Sequence, residues 1–378
     1  MTQQIYSGYN CHTQLRSILK DFRPKNIFLV TGQNSYHLSG AESLIGKIIS
    51  EFKHVRFYEC EVNPKLEDIE KGVDLFHKEK CDFVVGIGGG SVMDIAKSIS
   101  LLATQQSKIE EIIKKETAIK QREIPSVMIP TTAGTGSEST HFSTIYIGKT
   151  KYSLAHESLL PDIVILDPTF TDKLPASITA CTGMDALCQS IESFWSVNST
   201  EESRKYSTQA IRLLMSNLVK GVLAPDKNTR ESLLIASNLA GKAINIAQTT
   251  AAHAISYPLT SYYNIPHGHA VALTLPYFIK LNSDIALENL QDKRGIDFVK
   301  NNMAELIELL DVHTPDEARD KIINIMKEIK LETRLSNLGI GKDSIKIIVE
   351  NGFNPQRMKN NPKVITETEL RSLIAQIL

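Results

Sequence analysis

The sequence predicts an α/β domain with a parallel sheet, followed by an all-α domain. Its 378 residues are enough to build two sizeable cores. In the first half, short β-branched apolar runs alternate with helical patterns, which is typical of a parallel sheet covered on both faces. Beyond about residue 174 only helical periodicity remains. We therefore place the boundary near residue 178, giving domains 1–178 and 179–378.

Four apolar runs predict the strands of the first domain, in the order Ile27–Thr31, Asp82–Gly88, Ser126–Ile129 and Ile163–Leu166. Helical patterns lie between them, at Ala41–Glu51, Pro64–Glu79 and Val92–Leu102. The second domain is predicted to contain helices at Asp185–Trp195, Glu201–Leu218, Arg230–Ala247, Phe298–Leu310, Pro315–Leu331 and Thr366–Leu378.

Composition and charge narrow the class of protein. The formal net charge of -1 argues against nucleic acid or an anionic membrane as a partner, since both select basic surfaces. We find neither a secretory signal nor an apolar run long enough to span a bilayer. The five cysteines are scattered and form no CxxC pair. This pattern indicates reduced thiols in a cytoplasmic protein.

Two loops follow predicted strands and offer groups suited to a nucleotide. The first contains Gly88, Gly89, Gly90 and Ser91 and leads directly into a helix. Glycines allow close backbone approach, and free N–H groups at a helix start attract phosphate. The second loop, residues 130–138, is rich in threonine, serine and glycine. Ligands bind outside the carboxyl ends of strands in open α/β sheets, so a pyrophosphate is the expected guest. A plain strand-to-helix turn is the alternative.

A candidate metal cluster lies in the second half. Asp185 and Gln189 are four residues apart and share a helix face. Histidine is scarce in this chain, yet His253, His267 and His269 fall close together. One carboxylate and two imidazoles form a ligand set that suits Fe(II) and tolerates Zn(II). A hydrogen-bonded structural role is the alternative for each histidine taken alone.

The segments GGGSVMDIAK, PTTAGTGSE, GMDAL and HAISYPL…IPHG together resemble the motifs of the iron-containing (group III) alcohol dehydrogenases. The resemblance covers essentially the whole chain. It implies a dehydroquinate synthase-like fold, with a Rossmann-like first domain and a helical second domain, and it implies that the protein is a homodimer. It implies cofactor-binding roles for Asn63, Gly88, Gly89, Gly90, Ser91, Asp94, Thr131, Thr132, Thr135, Ser137 and Lys151. It also implies that Asp185, His253 and His267 are catalytic metal ligands.

Two positions depart from the family pattern. The fourth ligand in the family is a histidine, and the matching position here is Gln189. Its amide oxygen is a weaker ligand, so a metal-free enzyme is the alternative to a bound Fe(II) or Zn(II) ion. A second family histidine, linked to proton relay, is replaced by Tyr257, which we regard as a candidate catalytic residue.

The cofactor is expected to be NAD(P)(H), with a lean toward NADP. Members that prefer NAD often carry an aspartate just after the first strand, where this chain has Gly32. Without that carboxylate, a 2′-phosphate meets no repulsion. The alternative is that Gly32 is only a turn glycine.

The substrate is predicted from the similarity of further segments to one branch of the family. Segments such as SESTHFSTIY and SIESFWSVNSTEESRKYS are similar to the branch that includes phosphonoacetaldehyde reductases (hydroxyethylphosphonate dehydrogenases). This implies reduction of phosphonoacetaldehyde to 2-hydroxyethylphosphonate, with His141 and His269 as candidate substrate contacts. One alternative is a general short-chain alcohol or diol dehydrogenase. Another is a non-redox or degenerate superfamily member with a weakened metal site.

Overall fold

The computed structural model describes residues 3–60, 63–148, 150–353 and 355–378. It divides into two compact units. The first comprises Met1–Leu174 and Asp226–Leu234, and the second comprises Pro175–Pro225 and Ile235–Leu378. No helix in the described part of the chain is both long enough and apolar enough to cross a membrane.

The first unit is built on a six-stranded parallel sheet. Its strands are β1 (Gln4–Ser7), β2 (Ile27–Thr31), β3 (His54–Phe57), β4 (Phe83–Gly88), β5 (Ser126–Pro130) and β8 (Ile163–Leu166). Their order in the sheet is β1-β8-β5-β4-β2-β3. An antiparallel hairpin is formed by β6 (Phe142–Ile147) and β7 (Thr150–Ala155). The helices are α1 (Gln14–Phe22), α2 (Ser35–Leu38), α3 (Ala41–Ile49), α4 (Leu66–Lys78), α5 (Gly90–Leu102) and α6 (Ile109–Ile113).

Both faces of this sheet are buried. Alternate residues of a strand point to opposite faces. In β2, Phe28 and Val30 join one apolar cluster, whereas Ile27 and Leu29 join the other. This explains why the central strands are continuous apolar runs, and it confirms the predicted parallel sheet covered by helices.

The second unit is helical. Its helices are α7 (Ala176–Trp195), α8 (Glu201–Leu223), α10 (Ala251–Tyr263), α11 (His267–Ser283), α12 (Ile296–Leu309), α13 (Pro315–Glu328), α14 (Ser344–Gly352), α15 (Pro355–Met358) and α16 (Glu367–Gln376), together with the greater part of α9 (Lys227–Ala247). Side-chain caps start several of them. Thr200 caps α8 and Thr366 caps α16, each as part of a capping box. The predicted all-helical second half is confirmed.

Helix α7 is the centre of the second unit. From Gly183 to Trp195 every residue is buried. Its neighbour α11 approaches closely because Gly268 has no side chain. A Cβ atom at Gly268 would lie 2.0 Å from the backbone oxygen of Cys181 and 2.8 Å from Cβ of Asp185. Glycine at this position therefore sets the distance between α7 and α11.

We predict that Gly268→Ala destabilises the protein by about 1–3 kcal/mol, the usual cost of overpacking a close contact. The measurement is the melting temperature by calorimetry. Gly341→Ala is the matched control, because a Cβ there meets nothing within 4 Å. Equal melting temperatures for both variants and the wild type would show that α7 and α11 are not packed this closely.

Candidate functional site

A phosphate-sized cradle forms where β4 leads into α5. Gly89 is the N-cap of α5 and is extended, and no side chain caps the helix. The first N–H groups of this 13-residue helix are therefore available to a ligand. A Cβ at Gly88 would come within 2.6 Å of Val92, and one at Gly90 within 2.7 Å of Thr135. Close approach thus requires glycine at both positions, and the cradle fits a dinucleotide pyrophosphate.

The threonine-rich loop closes on the glycine loop from the adjacent strand. Pro130 pairs with Gly88 in the β4–β5 register, and the Thr131 backbone N–H donates to the Gly88 oxygen at 2.9 Å. The side chain of Thr132 faces Gly89 as that of Thr135 faces Gly90. The structure therefore brings together the two predicted cofactor loops.

Asp94 and Ser137 lie where the second loop meets α5. One Asp94 oxygen accepts from the Ser137 hydroxyl at 2.5 Å, and the other accepts from the Thr144 backbone N–H at 2.9 Å. Asp94 is thus already bonded through both oxygens within the first unit. These contacts favour a role in holding the loop over direct ribose binding.

Lys97, which sequence reasoning missed, is buried beneath this loop. Its ammonium donates to the backbone oxygens of Ser137 and Phe142 at 2.9 and 2.6 Å, and to the Thr140 hydroxyl at 3.0 Å. Asp94 lies 3.3 Å away. Burial lowers the pKa of Lys97, although Asp94 acts in the opposite direction. A buried cation with this many oxygen partners fixes the course of the loop.

The remaining predicted cofactor residues are more dispersed. Ser91 is partly buried in the first turn of α5. Gly32 follows β2, and a Cβ on it would come within 3.6 Å of Val92. Asn63 is exposed, with a left-handed φ of 65°. Lys151 lies on β7 opposite Tyr146.

A cluster of metal-ligating groups lies in the second unit. Asp185 is on α7, His253 on α10, and His267 is the first residue of α11. Their ligand atoms all lie within 4.8 Å of one another. Asp185 Oδ1 is 3.5 Å from His253 Nε2 and 4.0 Å from His267 Nε2. The structure thus brings together the three ligands expected from the sequence.

Unpartnered atoms show that this cluster fits a cation. Asp185 Oδ1, His253 Nε2 and Gln189 Oε1 are buried and have no hydrogen-bond partner among the described residues. Buried polar atoms are nearly always paired, because leaving one unpaired is costly. All three are atoms with a lone pair for a metal ion. An ion bound at the cluster would provide a partner for Asp185 Oδ1 and His253 Nε2, which lie 3.5 Å apart.

Comparison with known protein families shows to which family this chain belongs. A family model described as iron-containing alcohol dehydrogenase matches residues 2–168, and one described as the C-terminal part of that family matches residues 179–378. The chain belongs to the iron-containing alcohol dehydrogenase family. It is therefore an oxidoreductase of the iron-containing alcohol dehydrogenase type.

Relatives of this alcohol dehydrogenase cover nearly its whole length. The crystal structure of a sulfoacetaldehyde reductase from Bifidobacterium kashiwanohense in complex with NAD+ is 29% identical, covers 99% of this chain and 96% of its own, and superposes with a TM-score of 0.88. The NADPH-dependent butanol dehydrogenase of Clostridium saccharobutylicum is 30% identical over 99% of this chain and 96% of its own. The 1,3-propanediol dehydrogenase of Citrobacter freundii is 30% identical over 94% and 96%.

Burial and neighbouring charges shift the pKa values of two residues in the candidate metal site of this alcohol dehydrogenase. Burial raises the pKa of Asp185, but His253 and His267 more than offset this and leave that pKa below its usual value. Burial lowers the pKa of His253, but Glu192 and Asp185 raise it to about 9. A proton and a metal ion therefore compete for His253 Nε2.

Glu192 is the second residue that sequence reasoning missed. It is fully buried on α7, seven residues after Asp185. Its carboxylate accepts from the Thr250 hydroxyl at 2.7 Å and the Ala252 backbone N–H at 2.8 Å, and it contacts His253 Nδ1. In neutral His253 a proton on Nδ1 leaves Nε2 with the lone pair that a metal ion needs. The seven-residue spacing, which repeats the same helix face, was the available signal.

Tyr257, His269 and His141 have different surroundings. The Tyr257 ring stacks on His267, with centroids 6.4 Å apart. His269 Nε2 contacts the Glu332 backbone oxygen at 2.7 Å, which favours a structural role over the predicted substrate contact. In the first unit, the His141 backbone oxygen accepts from the His156 N–H at 3.0 Å.

We predict that Glu192→Gln weakens metal binding by about 10–100-fold, because the amide cannot reproduce both acceptor oxygens around His253. The measurement is metal content after dialysis against buffered free Zn²⁺. Glu350→Gln is the control, since Glu350 is an exposed glutamate on α14. Unchanged metal retention in Glu192→Gln would contradict the assigned role of Glu192.

Proposed function

We propose that this enzyme reduces a small aldehyde to a primary alcohol with NAD(P)H, and that the aldehyde is phosphonoacetaldehyde. The observation that carries this assignment is the Asp185–His253–His267 cluster, in which Asp185 Oδ1 and His253 Nε2 are buried without a hydrogen-bond partner among the described residues. When bound, the nicotinamide supplies a hydride, and a divalent ion, Fe(II) or Zn(II), supplies Lewis acidity toward the carbonyl oxygen.

Residues of the chain would bind the ion, orient its ligands and supply a proton. Asp185, His253 and His267 would hold the ion, and Glu192 keeps His253 in the ligating tautomer. Gln189 would add a neutral amide oxygen. We propose that Tyr257, which stacks on His267, is the general acid that donates a proton to the oxygen of the product alcohol.

Binding of the cofactor is assigned to the first unit. The uncapped start of α5 would hold the pyrophosphate, and the threonine-rich loop, fixed by Asp94 and Lys97, would complete the cradle. With no aspartate at Gly32, we extend the proposal to NADP as the preferred nucleotide.

The substrate assignment is supported by the similarity to the sulfoacetaldehyde reductase structure. Phosphonoacetaldehyde is the matching aldehyde with a phosphonate in place of the sulfonate. His141 stays a candidate contact for this anionic group. A general short-chain alcohol or diol dehydrogenase is the second candidate, favoured by the butanol and 1,3-propanediol dehydrogenase relatives.

The expected outcome of an NADPH assay is a kcat/KM for phosphonoacetaldehyde at least about ten-fold above that for butyraldehyde, because polar groups that bind the phosphonate, with His141 as the candidate, would be left unpaired by an apolar substrate. Sulfoacetaldehyde and 3-hydroxypropanal are measured in parallel on metal-loaded protein. Equal values for all four aldehydes would favour the general dehydrogenase, and a preference for sulfoacetaldehyde would replace phosphonate by sulfonate. No turnover of any of them would refute the proposed reduction.

Restoring the family ligand should tighten metal binding. Gln189→His places an imidazole one helical turn after Asp185, and we expect the dissociation constant for Zn²⁺ to fall by at least about ten-fold. Competition with a coloured chelator measures it. Gln189→Leu is the matched variant and should bind more weakly than the wild type. If neither substitution alters affinity, position 189 does not face the ion.

A further inference from the structure

An arginine lies at the carboxyl edge of the sheet, beside Gly32. Arg56 is the penultimate residue of β3, whose neighbour in the sheet is β2. Its guanidinium reaches across to the end of β2, where Nε donates to the Thr31 hydroxyl at 2.9 Å and Nη2 to the Gly32 backbone oxygen at 3.5 Å. Since Gly32 also lies against Val92 of α5, Arg56 is close to the glycine loop.

The surroundings of Gly32 leave little room for a side chain. Its φ does not lie in the left-handed region, so the backbone does not demand glycine. A Cβ there would instead come within 2.2 Å of the Ser35 hydroxyl oxygen. A side chain at position 32 would therefore require the Ser35 hydroxyl to move, and with glycine there no carboxylate stands where it would repel a phosphate.

The guanidinium is held in place before any ligand arrives. Arg56 Cζ is 4.6 Å from the Tyr36 ring centroid and 5.4 Å from that of Tyr58. Such contacts orient the planar group and leave its outer donors free to pair with phosphate oxygens. About a third of the side chain is exposed, at 32%.

One carboxylate competes for this cation. Glu42 Oε1 lies 3.9 Å from Arg56 Nη1, beyond hydrogen-bond distance, and Glu42 Oε2 is bonded to His37 at 2.8 Å. Among the described residues, Nη1 donates no hydrogen bond to the protein. A dianionic phosphate, which can take two parallel N–H donors, would interact more strongly than this distant and half-exposed carboxylate.

We propose that Arg56 binds the 2′-phosphate of NADP and makes this enzyme selective for NADP(H). The proposal rests on the proposed function, because it assumes that the glycine loop holds a dinucleotide. In dinucleotide-binding folds, an acidic residue near the end of the neighbouring strand binds the ribose 2′-hydroxyl of NAD, and an arginine there accommodates the 2′-phosphate. In the described part of the chain, the side chain that bonds to Gly32 is this arginine.

The test is equilibrium binding by calorimetry, which requires no turnover. The probes are adenosine 2′,5′-bisphosphate and adenosine 5′-monophosphate, which differ only by the 2′-phosphate, together with NADPH and NADH. We expect the wild type to prefer the 2′-phosphorylated ligand of each pair. Arg56→Ala should weaken that ligand by about 10–100-fold and leave its partner unchanged, and Arg56→Lys should restore part of the loss.

Arg16→Ala is the matched control, because Arg16 is an arginine of the same unit paired with Glu51. It should alter neither affinity. Equal binding of NADPH and NADH by the wild type would overturn the assignment of Arg56, as would an equal loss of both in Arg56→Ala. If the wild type binds neither dinucleotide, the proposed function fails as well.

Discussion

Two carboxylates buried on one helix impose the main constraint on the second unit. Asp185 and Glu192 lie on α7 and are almost completely removed from solvent. Burying a carboxylate without partners costs several kcal/mol, so the fold must supply donors. Glu192 receives them from Thr250, Ala252 and His253 at the start of α10. Trp195 donates to Thr250 at 2.9 Å and extends the network. The position of α10 against α7 follows from this requirement.

The first unit solves the reverse problem, a buried cation. Lys97 is surrounded by backbone oxygens of the segment that follows β5, and Asp94 lies beside it. The loop course is therefore dictated by charge burial within the protein. Together with the glycine loop, it forms a cradle that is held by contacts within the protein.

Much of the fold follows from periodicity. The bounds of β2 and β8 agree with the predicted strands, because both are buried apolar runs. Strands β1 and β3 were missed because edge strands are only partly buried and carry polar residues. The internal prolines Pro258 and Pro276 conceal the helical character of α10 and α11.

The site was only partly accessible from the sequence. Motifs indicated Asp185, His253 and His267, but only the three-dimensional structure shows their ligand atoms together. Glu192 looks like one polar residue in an apolar helix, and its role depends on contacts from a distant segment. Arg56 acquires its meaning from the β2–β3 pairing, which no local pattern encodes. The assigned roles of these residues stay predictions.

The contacts of Glu192 also bear on mismetallation. Glu192 holds the ring of His253 through Nδ1, so the protein itself contributes to the orientation of this ligand. With Gln189 as the proposed fourth donor, a neutral amide oxygen would replace an imidazole and would favour Fe(II) and Zn(II) less strongly over harder divalent ions. Occupancy would then depend more on the free concentrations of the ions around the protein.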